Sequence, residues 1–124
     1  MNISELEDRL NILVLGGVAS KLASNITNLA FKRLLDTLEL DDLEQGEMLF
    51  THLASSLTRI EKGETLEGPG SAIMNEVRNS THFSIAVSQI YYIEEQWGKA
   101  LPQEEREYLY MHYTNVIQLN IGGE

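Results

Sequence analysis

The spacing of prolines and apolar residues is the feature that most constrains how this chain folds. Only two prolines occur, Pro69 and Pro102, and in the long segments outside them apolar side chains recur every three or four residues. That period is typical of amphipathic helices, and no segment alternates as a half-buried strand would. The sequence therefore predicts an all-α fold, a compact bundle of about six helices joined by short loops.

Capping residues and glycines set the expected helix boundaries. Ser4 and Glu7 have the spacing of a capping box for the first helix, Ser20 suits the start of the second, and Gly63 suits the end of the third. We expect residues 120–124 to fray. The six predicted helices lie at about residues 4–15, 20–38, 41–62, 71–78, 83–97 and 102–119.

Length and charge limit the class of protein. The 124 residues are 43% hydrophobic, which predicts one globular domain over residues 1–124 rather than a disordered chain. Nine basic and 19 acidic side chains give a formal charge of −10, and among the basic residues only Lys32 and Arg33 are adjacent. Because phosphate contact requires clustered Lys and Arg, we expect neither direct nucleic-acid binding nor binding to anionic membranes.

The residue types that are missing exclude several chemistries. The chain has no cysteine, which excludes disulfides, a thiolate nucleophile and cysteine-ligated zinc. No phosphate-binding glycine motif and no metal-ligand motif is present, so we expect no cofactor and no metal. The acidic N-terminus does not resemble a signal peptide, and no apolar segment approaches the roughly 20 residues that span a bilayer. These features predict a cytoplasmic protein without a membrane segment.

Two histidines have charged residues two helical turns away. Arg59 follows His52 by seven residues, which places both on one side of the third helix, at the border of its apolar stripe. Glu105 precedes His112 by seven residues, and Asn115 follows it by three. A border histidine often only packs, and carboxylate runs such as residues 104–107 are most often solvated helix faces.

The environment of His52 indicates a specific chemistry. A nearby cation disfavours a charged imidazole, so His52 beside Arg59 suits a neutral imidazole that accepts a phosphoryl group, with the guanidinium as a clamp. His82 lacks such neighbours and lies beside the expected cap of the fifth helix, so we expect a structural role for it.

These two segments resemble the signatures of the phosphotransferase-system regulation domain, the PRD family. Residues 51–59 read THLASSLTR, with a histidine followed seven residues later by arginine. Residues 101–115 read LPQEEREYLYMHYTN, with a glutamate three residues and a histidine ten residues past the proline. The resemblance covers about residues 40–119. Thr51 stands where many relatives have an aspartate.

The resemblance implies a non-enzymatic regulatory domain without catalytic residues. The sequence resembles a stand-alone copy of the regulatory domains found in β-glucoside-type transcriptional antiterminators. By this analogy, His52 and His112 are phosphorylated by a phosphocarrier or sugar-specific component of the phosphotransferase system, and Arg59, Glu105 and Asn115 orient or stabilise them. Such a domain couples carbon supply to transcription regulation or antitermination through protein contacts, and it typically forms a homodimer in the cytoplasm.

Two other hypotheses remain open from the residues alone. One is a helical interaction module whose histidines are packing residues. The other is an enzyme that uses Glu105 and His112 as an acid–base pair, which would require a deep pocket around both side chains.

Overall fold

The computed structural model describes residues 1–64 and 66–122, and it confirms the all-α prediction. Within these ranges there are six helices and no strand, and none of the helices is long and apolar enough to cross a membrane. The helices are α1 (Ile3–Leu15), α2 (Lys21–Leu38), α3 (Glu47–Glu61), α4 (Ser71–Arg78), α5 (Phe83–Trp97) and α6 (Gln103–Ile121). Helices α1–α3 form one compact unit and α4–α6 form another.

In the first unit, α2 packs against both α1 and α3. The rings of Phe31 and Phe50 meet edge to face with centroids 4.9 Å apart, which is a favourable arrangement for a buried aromatic pair. Ser20 caps α2 as predicted, because its Oγ accepts a hydrogen bond from the Ala23 amide at 3.0 Å. The Ser20 amide also donates to Thr58 Oγ1 at 3.0 Å, which fixes the start of α2 against the last turns of α3.

The start of α1 differs from the prediction by two residues. Asn2, rather than Ser4, is the N-cap, and Glu5, rather than Glu7, completes the capping box. Asn2 Oδ1 accepts from the Glu5 amide and Glu5 Oε1 accepts from the Asn2 amide, both at 2.9 Å. Asn and Ser are equally good N-caps, so the local sequence offers two competing starts.

The predicted start of α3 near residues 41–42 is wrong, because the helix begins at Glu47. The preceding segment is held by contacts distant in sequence: the Leu43 amide donates to the Met1 carbonyl at 2.8 Å, and the Met1 ammonium donates to the Leu43 carbonyl at 2.7 Å. Gln45 has a φ of 54°, in the left-handed region where an α-helix cannot continue. The side chain of Leu43 is fully buried.

In the second unit, α6 packs against α5 and α4. Glu94 Oε2 fixes the entry into α6, because it accepts from the Leu101 amide and from Arg106 Nη2, each at 2.8 Å. Arg78 of α4 donates to Glu107 Oε2 of α6 at 3.2 Å. Buried apolar side chains on these helices include Met74, Val77, Ile90, Ile93, Leu109, Val116 and Ile117.

The end of α6 also differs from the prediction. The helix continues to Ile121 instead of fraying from residue 120. The imidazole Nε2 of His82 lies 2.7 Å from the carbonyl oxygen of Gly122, and this hydrogen bond anchors the end of the helix. The predicted fraying of residues 123 and 124 lies outside the described residues.

Candidate functional site

One side of α3 carries three polar residues that are connected by hydrogen bonds through a serine hydroxyl and a backbone carbonyl. His52 and Arg59, singled out by their spacing, are both half-buried on this helix. Ser55 lies between them: its Oγ donates to the His52 carbonyl oxygen at 3.1 Å and accepts from Arg59 Nη1 at 3.3 Å. We call these three residues the α3 row. The sequence analysis missed Ser55, although its position three residues after His52 and four before Arg59 could have indicated it.

The polar atoms of the α3 row are largely withdrawn from water. His52 Nε2 and Arg59 Nε and Nη2 are shielded from solvent. Buried charges and polar groups interact more strongly than exposed ones because water screens them less. Nε2 of His52 is therefore not accessible from solvent in this structure.

A second guanidinium approaches the same end of α3. Arg9 of α1 donates from Nη1 to Thr51 Oγ1 at 3.4 Å, so a cation lies beside the residue that precedes His52. Arg9 is exposed and this contact is long, which makes it a weaker attachment than the Ser55–Arg59 contact. Two guanidinium groups, those of Arg9 and Arg59, thus contact side chains on α3.

His112 has different surroundings on α6. Its neighbours Leu109 and Val116 are buried, and the ring of Tyr108 lies against the imidazole with centroids 5.3 Å apart and planes tilted by 32°. Burial lowers the pKa of His112 below its ordinary value, because the charged imidazolium loses hydration. His112 is therefore a neutral imidazole at neutral pH.

The acidic residues near His112 are not a uniformly solvated face, and that expectation is wrong for Glu105. Glu105 is 1% exposed, whereas Glu104 is exposed and Glu107 is partly covered by its contact with Arg78. The carboxyl group of Glu105, like Nε2 of His52, has almost no access to solvent in this structure. An acid–base pair of Glu105 and His112 would require this carboxyl group to become exposed.

Asn115 lies on the side of α6 that faces α4. It is exposed and lines a groove between the two helices, and the described lining residues do not include His112. The lining residues are Ile73, Glu76, Val77, Ser80, Met111, Thr114, Asn115 and Gln118. The structure thus places Asn115 one helical turn from His112 but in a different local environment.

His82 is in a structural position. It occupies the N-cap of α5, is 8% exposed and is bonded to the Gly122 carbonyl oxygen. In the described ranges, no group of three or more histidine, aspartate or glutamate side chains is arranged to hold a metal ion.

Comparison with known proteins identifies the family of this chain. The sequence model of the PRD domain family matches residues 24–116. The chain belongs to the PRD domain family. PRD domains are regulatory rather than catalytic domains, and they interact with components of the phosphotransferase system. The match includes both histidine segments and begins within α2, so helix α1 and its Arg9 lie outside it.

The chain is also similar to a bacterial protein. The uncharacterized protein YhfY of Escherichia coli (strain K12) is 31% identical over 93 residues, which cover 71% of this chain and 73% of YhfY. No solved structure gives a significant match.

Proposed function

We propose that this PRD domain receives a phosphoryl group on histidine from a component of the sugar phosphotransferase system, with His52 as the principal acceptor and His112 as the second. The domain then reports carbon supply to transcription regulation or antitermination through protein contacts in the cytoplasm. The observation that carries the proposal is the α3 row, in which a guanidinium and a hydroxyl lie on the same side of the helix as His52.

The transfer requires an acceptor with a free electron pair. A neutral imidazole nitrogen attacks phosphorus, a new P–N bond forms, and the P–N bond of the donor phosphohistidine breaks with its electron pair remaining on the donor ring. The proton on the other ring nitrogen of the acceptor is retained. The phosphoryl group brings up to about two negative charges, which Arg59 compensates by charge-assisted hydrogen bonds.

His112 has the free electron pair that the transfer requires, but the charged residue two turns away on its own helix is not a cation. Its lowered pKa keeps it neutral and therefore nucleophilic. On its own helix, however, the charged residue two turns before it is Glu105, and the nearby guanidinium of Arg106 is already bonded to Glu94. Along α6, the charge two turns from His112 therefore opposes that of a phosphoryl group instead of compensating it, and for this reason we rank His112 second.

We further propose that the domain self-associates. The first unit exposes apolar side chains at the end of α1 and just beyond it, among them Ile12 at 69% and Leu15 at 87%. Exposed apolar side chains of this kind mark contact surfaces when they lie together. In sedimentation equilibrium, Leu15→Ser is expected to weaken association, whereas Ile73→Ser in α4 leaves it unchanged. Equal association constants for the wild type and the two variants would contradict the proposal that this surface mediates self-association.

The phosphorylation proposal is tested by incubating the protein with the phosphorylated general phosphocarrier protein and measuring acid-labile, base-stable phosphate. We expect phosphate incorporation in the wild type, a large decrease in His52→Gln and a smaller decrease in His112→Gln. The double variant is expected to incorporate no phosphate. No incorporation in a folded wild-type protein would leave an interaction module with packing histidines as the better account.

A further inference from the structure

We infer that Ser55 is a positioning residue for phosphoryl transfer to His52: its hydroxyl holds the Arg59 guanidinium in register with the acceptor. This inference rests on the proposed function. It concerns a residue that the spacing of histidine and arginine does not indicate, since the seven-residue interval specifies only its two ends.

The hydroxyl of Ser55 has defined partners on both sides. It donates to the His52 carbonyl oxygen at 3.1 Å and accepts from Arg59 Nη1 at 3.3 Å. A hydroxyl has one hydrogen and two acceptor sites, so donation to the carbonyl turns its acceptor side toward Arg59. The orientation of the guanidinium thus depends on a backbone atom of the acceptor residue itself.

Helix geometry makes this connection useful. His52 and Arg59 are seven residues apart, a rise of about 10 Å, which is too far for a direct contact without a long, directed side chain. Side chains on a helix lean toward its N-terminus, so Arg59 extends back along the helix in the direction of His52. Ser55 lies on the turn between His52 and Arg59, and its hydroxyl holds one nitrogen of the Arg59 guanidinium there.

The contact with Ser55 engages one nitrogen of the Arg59 guanidinium. Arg has five N–H donors in a rigid plane, and a hydrogen bond at Nη1 restricts the plane without occupying all of them. A flexible arginine would lose several rotational degrees of freedom when it binds a phosphoryl group, and the contact with Ser55 removes part of that loss beforehand. We therefore expect Ser55 to increase the rate of transfer to His52 through Arg59.

Two variants separate this role from a general effect on the helix. Ser55→Ala removes both hydrogen bonds, and Ser55→Thr restores the hydroxyl. Ser88→Ala is the matched control, because Ser88 Oγ makes the same kind of bond to a carbonyl three residues earlier, that of Ile85 at 2.7 Å, on an exposed part of α5.

The experiment measures the rate of phosphate incorporation from the phosphorylated phosphocarrier protein in a His112→Gln background, where only His52 of the proposed pair remains. We expect Ser55→Ala to lower the rate about three- to tenfold, as for the loss of one hydrogen bond of ordinary strength. Ser55→Thr is expected to restore most of the rate, and Ser88→Ala to leave it unchanged. Thermal unfolding of each variant shows that it is folded.

The decisive comparison repeats Ser55→Ala in an Arg59→Gln protein. If Ser55 acts through Arg59, its removal has little further effect there, because the residue it positions is already gone. An equal loss in both backgrounds, or no loss in the presence of Arg59, would overturn the inference while leaving phosphorylation of His52 intact. Absence of phosphate on His52 in the parent protein would instead overturn the proposed function and this inference with it.

Discussion

The helices α3 and α6 each carry a half-buried histidine with a charged residue two turns away, but they provide different chemical environments. On α3, a hydroxyl and a guanidinium accompany His52 in a row. On α6, an aromatic ring accompanies His112, and the charged residue is a carboxyl group that is 1% exposed. A shared spacing in sequence therefore does not imply a shared function, because the sign and burial of the distant charge decide which state of the histidine is favoured.

The two helices also differ in which state of the histidine they favour. Burial lowers the pKa of His112 and keeps its imidazole neutral. The row on α3 instead offers compensation for a charge that is added later. The first arrangement favours a nucleophile, and the second favours the phosphorylated product. The predictions below use this distinction, from the largest expected effect to the smallest.

The largest effect is expected for the contact that fixes the entry into α6. Glu94→Ala removes the acceptor of the Leu101 amide and of Arg106 Nη2, both at 2.8 Å. Because it leaves a backbone donor and a guanidinium without this partner, we expect the free energy of unfolding to fall by about 2–4 kcal/mol. Urea denaturation measures it, with the exposed neighbour Glu95→Ala as the control. A loss as small as that of the control would show that α6 and its histidine do not depend on this cluster.

A smaller effect is expected when the charge on α3 is removed. Arg59→Gln keeps some hydrogen-bonding capacity but removes the cation, and we expect the rate of phosphate incorporation at His52 to fall about ten- to thirtyfold, equivalent to about 1.4–2 kcal/mol. Lys62→Gln, an exposed charge just past the same helix, controls for the change in net charge. Equal rates for Arg59→Gln and Lys62→Gln would show that Arg59 has no specific effect on transfer to His52. The reason for ranking His52 above His112 would then be lost.

The smallest effect concerns the pH dependence of stability. Burial lowers the pKa of His112 in the folded protein, whereas in the unfolded chain it has the ordinary value of about 6.5. Below that value the unfolded state binds more protons at this site, so this contribution to stability decreases as the pH falls through it. We expect unfolding midpoints to decrease more between pH 7.5 and pH 5.5 in the wild type than in His112→Gln. An equal decrease in both would contradict a desolvated His112.

The parts of the fold predicted from sequence are those with local causes. The start of α4, the end of α5 and the cap of α2 follow from Pro69 with Gly70, from Gly98 and from Ser20, whose effects act within one helical turn. The start of α3 and the end of α6 could not be predicted in this way. They depend on contacts between residues about 40 positions apart, namely Met1 with Leu43 and His82 with Gly122.

The candidate site shows the same division. The seven-residue interval from His52 to Arg59 is visible in the sequence, and a helix converts it directly into a shared side. Ser55 was missed because serine within a helix has no single meaning: its hydroxyl can bond to the backbone, to water or to another side chain. The burial of Glu105 was misjudged because composition alone does not show which carboxylate of a charged run faces the interior.

The central claim is that the surroundings of His52 make it the preferred phosphoryl acceptor. The most direct test follows both histidines in one wild-type sample during phosphorylation by the phosphocarrier protein, with the modified residue identified by mass spectrometry at alkaline pH. We predict that phosphate appears first on His52 and reaches a higher level there than on His112. Earlier or higher phosphorylation of His112, or a folded protein that takes up no phosphate on either residue, would contradict the account.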